Sequence, residues 1–336
     1  MSLISMGDLA QGLGLRIRNA EVKAQFTRLT EELVSGVTAD PAARVRGDFR
    51  PLGAIDRSLT LLDAYDLATS ETKSTAQVMQ AALGVVSDTA KEIGSSLING
   101  SSGQHGNMIA AAGQEAEEQF RQVVAALNTR FAGRSLFAGE ATDSPALASA
   151  DTILSALGTT VSGLTSVTDI ETAIDDWFNT PGGFDTVAYQ GSTASVGPVR
   201  LSETETVRID ITALDPAVRD VLKSLATGAL LADETVLSGN PVLRSLLAES
   251  AGEGLLTARS SITELQALLG VRQEKIETIE TENGANRTML VLAREGVLGV
   301  DPYETVTEMD AVEAQIETLY KVTARLARLS FTNYMP

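Results

Sequence analysis

The sequence predicts a mainly α fold. Long antiparallel helices of the N- and C-terminal segments form a coiled-coil rod, and a small α+β domain is inserted in the middle. Three observations predict it. Both ends carry apolar residues at alternating spacings of three and four, the signature of a helix face. The middle switches to an apolar–polar alternation of period two, bounded by Gly, Pro and Ser. The composition, 43% hydrophobic but only 4% aromatic, favours long helices over an aromatic-lined pocket.

The first helix is justified by Leu15, Val22, Phe26, Leu29 and Leu33, with Asn19 as the polar member of the seam. "SGVTADP" (Ser35–Pro41) breaks it by glycine and proline. After Pro51, the residues Leu52, Ile55, Leu59 and Leu62 start a second seam. Met79, Leu83, Val86, Ala90, Ile93 and Leu97 continue it, so one helix over 52–99 is expected, roughly 70 Å long at about 1.5 Å per residue. "NGSSGQHGN" (Asn99–Asn107) is a turn. A third helix carries Ile109, Ala116, Phe120, Val123 and Leu127.

"LNTRFAGRSLFAGEATDSP" (Leu127–Pro145) is expected to be the exit from the rod into the middle domain. Gly133 would provide a left-handed cap for the third helix. Phe131 and Phe137 are expected to be buried, with Phe137 folding back as an apolar anchor, and Gly139 would release the chain toward the insert. In the insert, "FDTVAYQGS", "GPVRLS" and "ETVRIDITALDP" are expected strands, including at least one hairpin, and 151–178 and 216–231 are expected to be helical.

The C-terminal third mirrors the first. Ile262, Leu265, Leu269, Ile276 and Ile279 form a long seam that "GVLGVDP" (Gly296–Pro302) breaks. Met309, Val312, Ile316, Leu319, Thr323, Leu326 and Ser330 then follow at spacings of three and four, as in a coiled coil. For either terminal segment to bury its seam, the two ends must meet in space. The expected division is therefore 1–45 with 300–336 as a terminal coiled-coil domain, 46–144 with 246–299 as a helical rod, and 145–245 as the insert.

The formal net charge is −18, and it is unevenly spread. Residues 140–254 hold five basic against seventeen acidic side chains, while 1–60 hold eight against seven. So acidic a surface disfavours nucleic acid, whose phosphates it repels. It suits a middle region that faces water and ends that pack on protein. No apolar run approaches a membrane span, and membrane insertion is not expected. "MSLISMGDLAQGLGLRIRN" lacks a basic leader and is interrupted by Asp8, so export would need a route without a cleaved signal.

Residues that could carry chemistry are few. With no Cys, thiol nucleophiles, disulfides and Cys-held metals are excluded. The single histidine, His105, sits in a Gly/Ser turn, where a solvated turn residue is the commoner role. Asp175, Asp176 and Asp301 fit no calcium-loop spacing. "GSSGQHG" lacks the lysine and the preceding strand of a phosphate-binding loop. No catalytic residue, cofactor or metal is expected.

Three stretches resemble the bacterial flagellin superfamily, and within it the hook–filament junction branch. "LTEELVSGVTADPAARVRGD" (Leu29–Asp48) is similar to a flagellin-type segment, with its doubled Asp reduced to Asp40. "FAGRSLFAGEATDSPAL" (Phe131–Leu147) is similar to a junction-protein segment, with Ser135 where Tyr is usual. "DPYETVTEMDAVEAQIETLYKVTARLARLSFTNYM" (Asp301–Met335) resembles the family's closing helix. "YQGS" (Tyr189–Ser192) and "ITALDPAVRDVL" (Ile211–Leu222) match more weakly.

The resemblance implies a structural axial protein of the flagellum, secreted unfolded by type III export and located outside the cell. Its implied partners are other copies of itself, a hook-side junction protein, flagellin and an export chaperone. The terminal helices would line a narrow channel. The filament subunit itself and a cytoplasmic coiled-coil scaffold are the alternative readings.

Overall fold

The computed structural model describes residues 6–102, 105–179 and 181–332. It divides into two compact units, Met1–Asp63 with Gly284–Pro336, and Ala64–Asn283. Helices α3 (Arg50–Ser101) and α8 (Pro241–Leu298) supply residues to both. The expected single helix over 52–99 and the long C-terminal seam are present as these two elements.

The terminal unit contains α1 (Met6–Ser35), the short α2 (Pro41–Arg44), the first part of α3, the last part of α8 and α9 (Pro302–Thr332). Helix α1 stops at Gly36, whose φ of 70° is cheap only without a side chain. Asp40 caps α2, accepting a hydrogen bond from the Ala43 N–H at 3.0 Å, with Pro41 opening the helix. Asp301 does the same for α9, accepting from the Tyr303 N–H at 2.8 Å ahead of Pro302. Helices α1 and α9 run antiparallel: Thr30 meets Met309, and Lys23 lies 5.5 Å over the Tyr320 ring. Helices α3 and α8 are antiparallel too. Arg294 pairs with Asp56 at 3.0 Å, and Arg287 pairs with Asp63.

The middle unit is larger and holds an extended buried core. Its helices are the rest of α3, α4 (Gly106–Leu127), α5 (Ala150–Val161), α6 (Val167–Asn179), α7 (Pro216–Ala229) and the first part of α8. Here too α3 and α8 are antiparallel, with Lys73 paired to Glu280 at 2.8 Å and Ser245 donating to the Ser101 carbonyl at 2.6 Å. Strand pairing among the described residues amounts to two small hairpins and two isolated bridges. Strands β1 (Arg130–Phe131) and β2 (Arg134–Ser135) form one hairpin, β3 (Val199–Arg200) and β4 (Thr206–Val207) the other. The expected hairpin in the insert is therefore present, but short.

One local expectation is corrected. "FDTVAYQGS" is not a strand: Phe184–Ala188 is a wide helical turn. Its two buried residues, Phe184 and Ala188, are four apart, and Val187 between them is exposed, so the burial has a helical period. Phe184 stacks on Phe178 at 5.4 Å, which fixes that turn. Residues 145–245 share buried residues with the long helices. Leu147, Ile153, Ile170, Val218, Val221 and Leu225 belong to the same buried cluster as Leu97, Ile109, Phe120 and Leu255 of the long helices. Gly228 of α7 lies so close to Leu97 that a Cβ there would stand 2.7 Å from it.

Candidate assembly interface

The terminal unit places the expected seam residues on facing sides of α1 and α9. Val22, Leu29 and Val312 are fully buried against each other, and Phe26, Met309, Ile316 and Leu319 pack around them half-buried. Leu15, Leu33 and Leu326 are half-buried and lie outside that cluster. Ser330 falls where side chains are not described. The core shared by the two terminal helices is thus thin, with three buried side chains. A two-helix contact of this size leaves much apolar surface in water.

One buried group on α1 is missing from the expected seam. Glu32 is almost fully buried, one turn beyond the Leu29 it follows. Its carboxylate accepts from the Ala39 N–H at 2.9 Å, the Arg28 guanidinium at 3.2 Å and the Thr38 hydroxyl at 3.3 Å. A buried carboxylate needs such partners. It holds the Ser35–Asp40 turn against the end of its own helix. That turn in turn pairs with the α8–α9 connection. Thr38 N–H donates to Leu298 O at 2.9 Å, and Val300 N–H donates to Gly36 O at 3.1 Å. Arg44 donates to Gly299 O at 2.9 Å and Val297 O at 3.4 Å, satisfying carbonyls at the α8 C-terminus. The Leu29–Asp48 segment is therefore a latch that joins the two chain ends.

The Leu127–Pro145 stretch differs from its expected form. Asn128, not Gly133, ends α4, and it does so with φ −90°, outside the left-handed region. Asn128 also clamps the returning chain: its side-chain amide donates to Leu147 O at 2.9 Å and accepts from Leu147 N–H at 2.8 Å. Gly133 (φ 79°) follows Ala132 (φ 47°) at the tip of the β1–β2 hairpin, a two-residue turn that needs positive φ at both positions. Phe137 is fully buried. Phe131 is half-buried and lines a cavity of about 250 Å³ with Ala68, Thr72 and Met79. Gly139 has φ 60°, and a Cβ on it would stand 2.5 Å from the carbonyl oxygens of Ser192 and Ala194. The stretch is held from outside by "YQGS" and the residues just after it: Ser192 N–H donates to Ala138 O at 2.8 Å, and Glu140 N–H to Ala194 O at 3.0 Å.

Among the described residues, no group of three or more His, Asp or Glu stands in a metal-holding arrangement. His105 is exposed at the start of α4 and makes no side-chain capping bond. No described helix is long and apolar enough to cross a membrane.

The fold is one of long helices, and its first and last described helices pair. Residues 253–335 match the bacterial flagellin C-terminal helical region. Among solved structures, the chain resembles the "putative flagellar hook-associated protein" from Vibrio parahaemolyticus. The TM-score is 0.54 and the identity 15%, over 77% of this chain and 98% of the other, which is a likeness of fold. No curated protein matches the sequence.

Proposed function

We propose that this protein is an axial structural component of the bacterial flagellum, and that it joins the hook side to the flagellin filament by packing its terminal helices beside those of neighbouring copies. The observation that carries the reading is the thin α1–α9 pair within a chain whose last quarter matches a flagellin helical region. Such a pair gains most of its burial from neighbours, so its order is coupled to assembly. The resemblance of the Phe131–Leu147 stretch to junction proteins, and the hook-associated protein that shares the fold, favour the junction over the filament. Partners on this reading are copies of itself, the hook-side junction protein and flagellin, with a chaperone guarding the terminal helices before export.

A deletion strain tests it. Loss of filaments from intact hooks, with flagellin released to the medium as monomer and filaments restored by the gene in trans, is the expected result. Hooks that still carry normal filaments would overturn the junction role. Loss of all flagellin from cells and medium alike would instead identify this chain as the filament subunit.

A further inference from the structure

The seam between α1 and α9 does not by itself define one alignment of the two helices. Thr30 meets Met309 and Lys23 lies over Tyr320, which sets Val22 opposite Leu319, Phe26 opposite Ile316 and Leu29 opposite Val312. Both seams repeat every seven residues, at spacings of three and four. Sliding α9 by one repeat, about 10 Å along the axis, puts Val312 opposite Val22 and Met309 opposite Phe26. Sliding it the other way puts Leu319 opposite Leu29 and Ile316 opposite Leu33. Apolar residues face apolar ones in every case. Coiled coils break such a tie with a buried polar residue or with ion pairs between helices. Here neither does so. Among the described residues, Asn19, the polar member of the α1 seam, makes no side-chain hydrogen bond to α9, and no ion pair joins the two helices.

The latch, by contrast, fits one alignment. It is built from joints in series. Glu32 fixes the Ser35–Asp40 turn to α1, accepting from the Ala39 N–H at 2.9 Å and the Thr38 hydroxyl at 3.3 Å, and it is only 4% exposed. The same turn is fixed to the α8–α9 connection at the Val37–Gly299 bridge, through the Thr38–Leu298 and Val300–Gly36 backbone bonds and the Arg44 guanidinium on Gly299 O. The connection is fixed to α9. Asp301 accepts from the Tyr303 N–H at 2.8 Å, and the hydroxyl of the buried Thr305 donates to the Asp301 carbonyl at 2.9 Å. Each joint spans one hydrogen bond, so a slide of about 10 Å breaks at least one of them.

We infer that the latch, and not the apolar seam, sets the register of α1 against α9, with Glu32 as the positioning residue that ties the turn to its helix. The seam supplies an attraction that the three registers share. The latch supplies the difference between them, and a choice among states rests on differences. Register decides which side chains of α1 and α9 stand side by side at each level of the pair. A surface built from both helices therefore depends on Glu32, although Glu32 itself is buried. The inference concerns the two ends of one chain and stands whether or not the junction reading holds.

The chain lacks cysteine, so pairs of introduced cysteines report the register directly. A disulfide needs Cα atoms within about 7 Å, less than one repeat. Thr30→Cys with Met309→Cys reports the register of the structure. Thr30→Cys with Ile316→Cys, and Lys23→Cys with Glu313→Cys, report a slide of one repeat in either direction. Each pair is placed in the purified full chain and oxidised in dilute solution, and the link within one chain is quantified by mass spectrometry. In the wild-type background only the first pair should link. Glu32→Ala should lower that link several-fold and raise at least one displaced link. Arg44→Ala should do the same to a smaller degree. Glu32→Gln keeps an acceptor oxygen and should retain most of the first link, and Glu31→Ala, exposed on the same helix, should change nothing. A first link that both alanine variants of the latch leave undiminished would overturn the inference, as would displaced links in the wild-type background. Loss of all three links in Glu32→Ala would overturn it too, because the latch would then hold the ends together without choosing their register.

Discussion

Gly94 and Gly252 face each other across α3 and α8 with no room for a side chain on either. A Cβ on Gly94 would stand 3.1 Å from the Gly252 carbonyl oxygen. One on Gly252 would stand 2.8 Å from Gly94 O and 2.7 Å from Ile98 Cγ1. The two longest helices approach here because both positions lack a side chain, and the approach sets the spacing of the core around Leu97, Ala251 and Leu255. Gly252→Val should force them apart and cost about 1–3 kcal/mol of middle-unit stability, as overpacking does. Gly270→Ala on the same helix meets open space, and should be neutral or add about 0.5–1 kcal/mol by helix propensity. Urea titration of the two variants checks both signs.

Leu29 is the most buried residue of the α1–α9 seam. Leu29→Asp puts a carboxylate without a partner between the helices, at a cost of several kcal/mol. The thin terminal core cannot absorb that, so the α1–α9 pair should come apart while the middle unit melts as in wild type. Leu319→Asp, half-buried on the facing helix, should do the same to a smaller degree. Ala311→Lys, exposed on α9, should leave the pair intact. Circular dichroism across a thermal ramp, with incorporation into flagella, measures the two effects separately.

Arg244 clamps the loop before α8. It is buried, and donates to Leu231 O and Asp233 O at 2.6 Å each and to Val236 O at 3.4 Å. Burial pulls its guanidinium below its usual pKa, while Glu234 and Asp233 act in the other direction. The loop it holds contains Leu237 and Ser238 at positive φ, a conformation that persists only where surroundings enforce it. Arg244→Ala would leave those carbonyls without their charged donor, at about 2–3 kcal/mol. Arg244→Lys should recover only part of it, because an ammonium cannot span the same fork of acceptors. Hydrogen exchange at residues 230–240 should rise in both variants, more in the alanine one.

The long helices were legible because each buries a stripe along its whole length, and a stripe leaves a period in the sequence. Leu83, Val86, Ala90, Ile93 and Leu97 show it directly, and all are buried. Smaller features had no such period. A hairpin with two residues per strand cannot display alternation, so Gly133 looked like a helix cap when it is a turn residue. Glu32 was invisible as a core residue because its burial depends on Thr38 and Ala39 folding back to it. The insert looked separable because its composition changes at residue 140. Composition reports what faces water, whereas Leu147, Val218 and Leu225 face the long helices.

The two units should also differ in resistance to protease. In the terminal unit, the α1–α9 core contains three fully buried apolar side chains, whereas the middle unit has an extended buried cluster. Local opening follows buried contact, so cleavage in isolated soluble protein should begin in α1 and α9. The latch slows separation of the ends at Val37 and Gly299, but it consists mainly of backbone hydrogen bonds open to competition from water. The expected stable product therefore has ends near Ala64 and Asn283, and mass spectrometry of a limited trypsin digest identifies them. Assembled protein should lose those early cleavages, because neighbours cover the helices. Termini in the free protein that survive as long as the middle unit would show that the α1–α9 pair is stable by itself and that assembly adds nothing to its order.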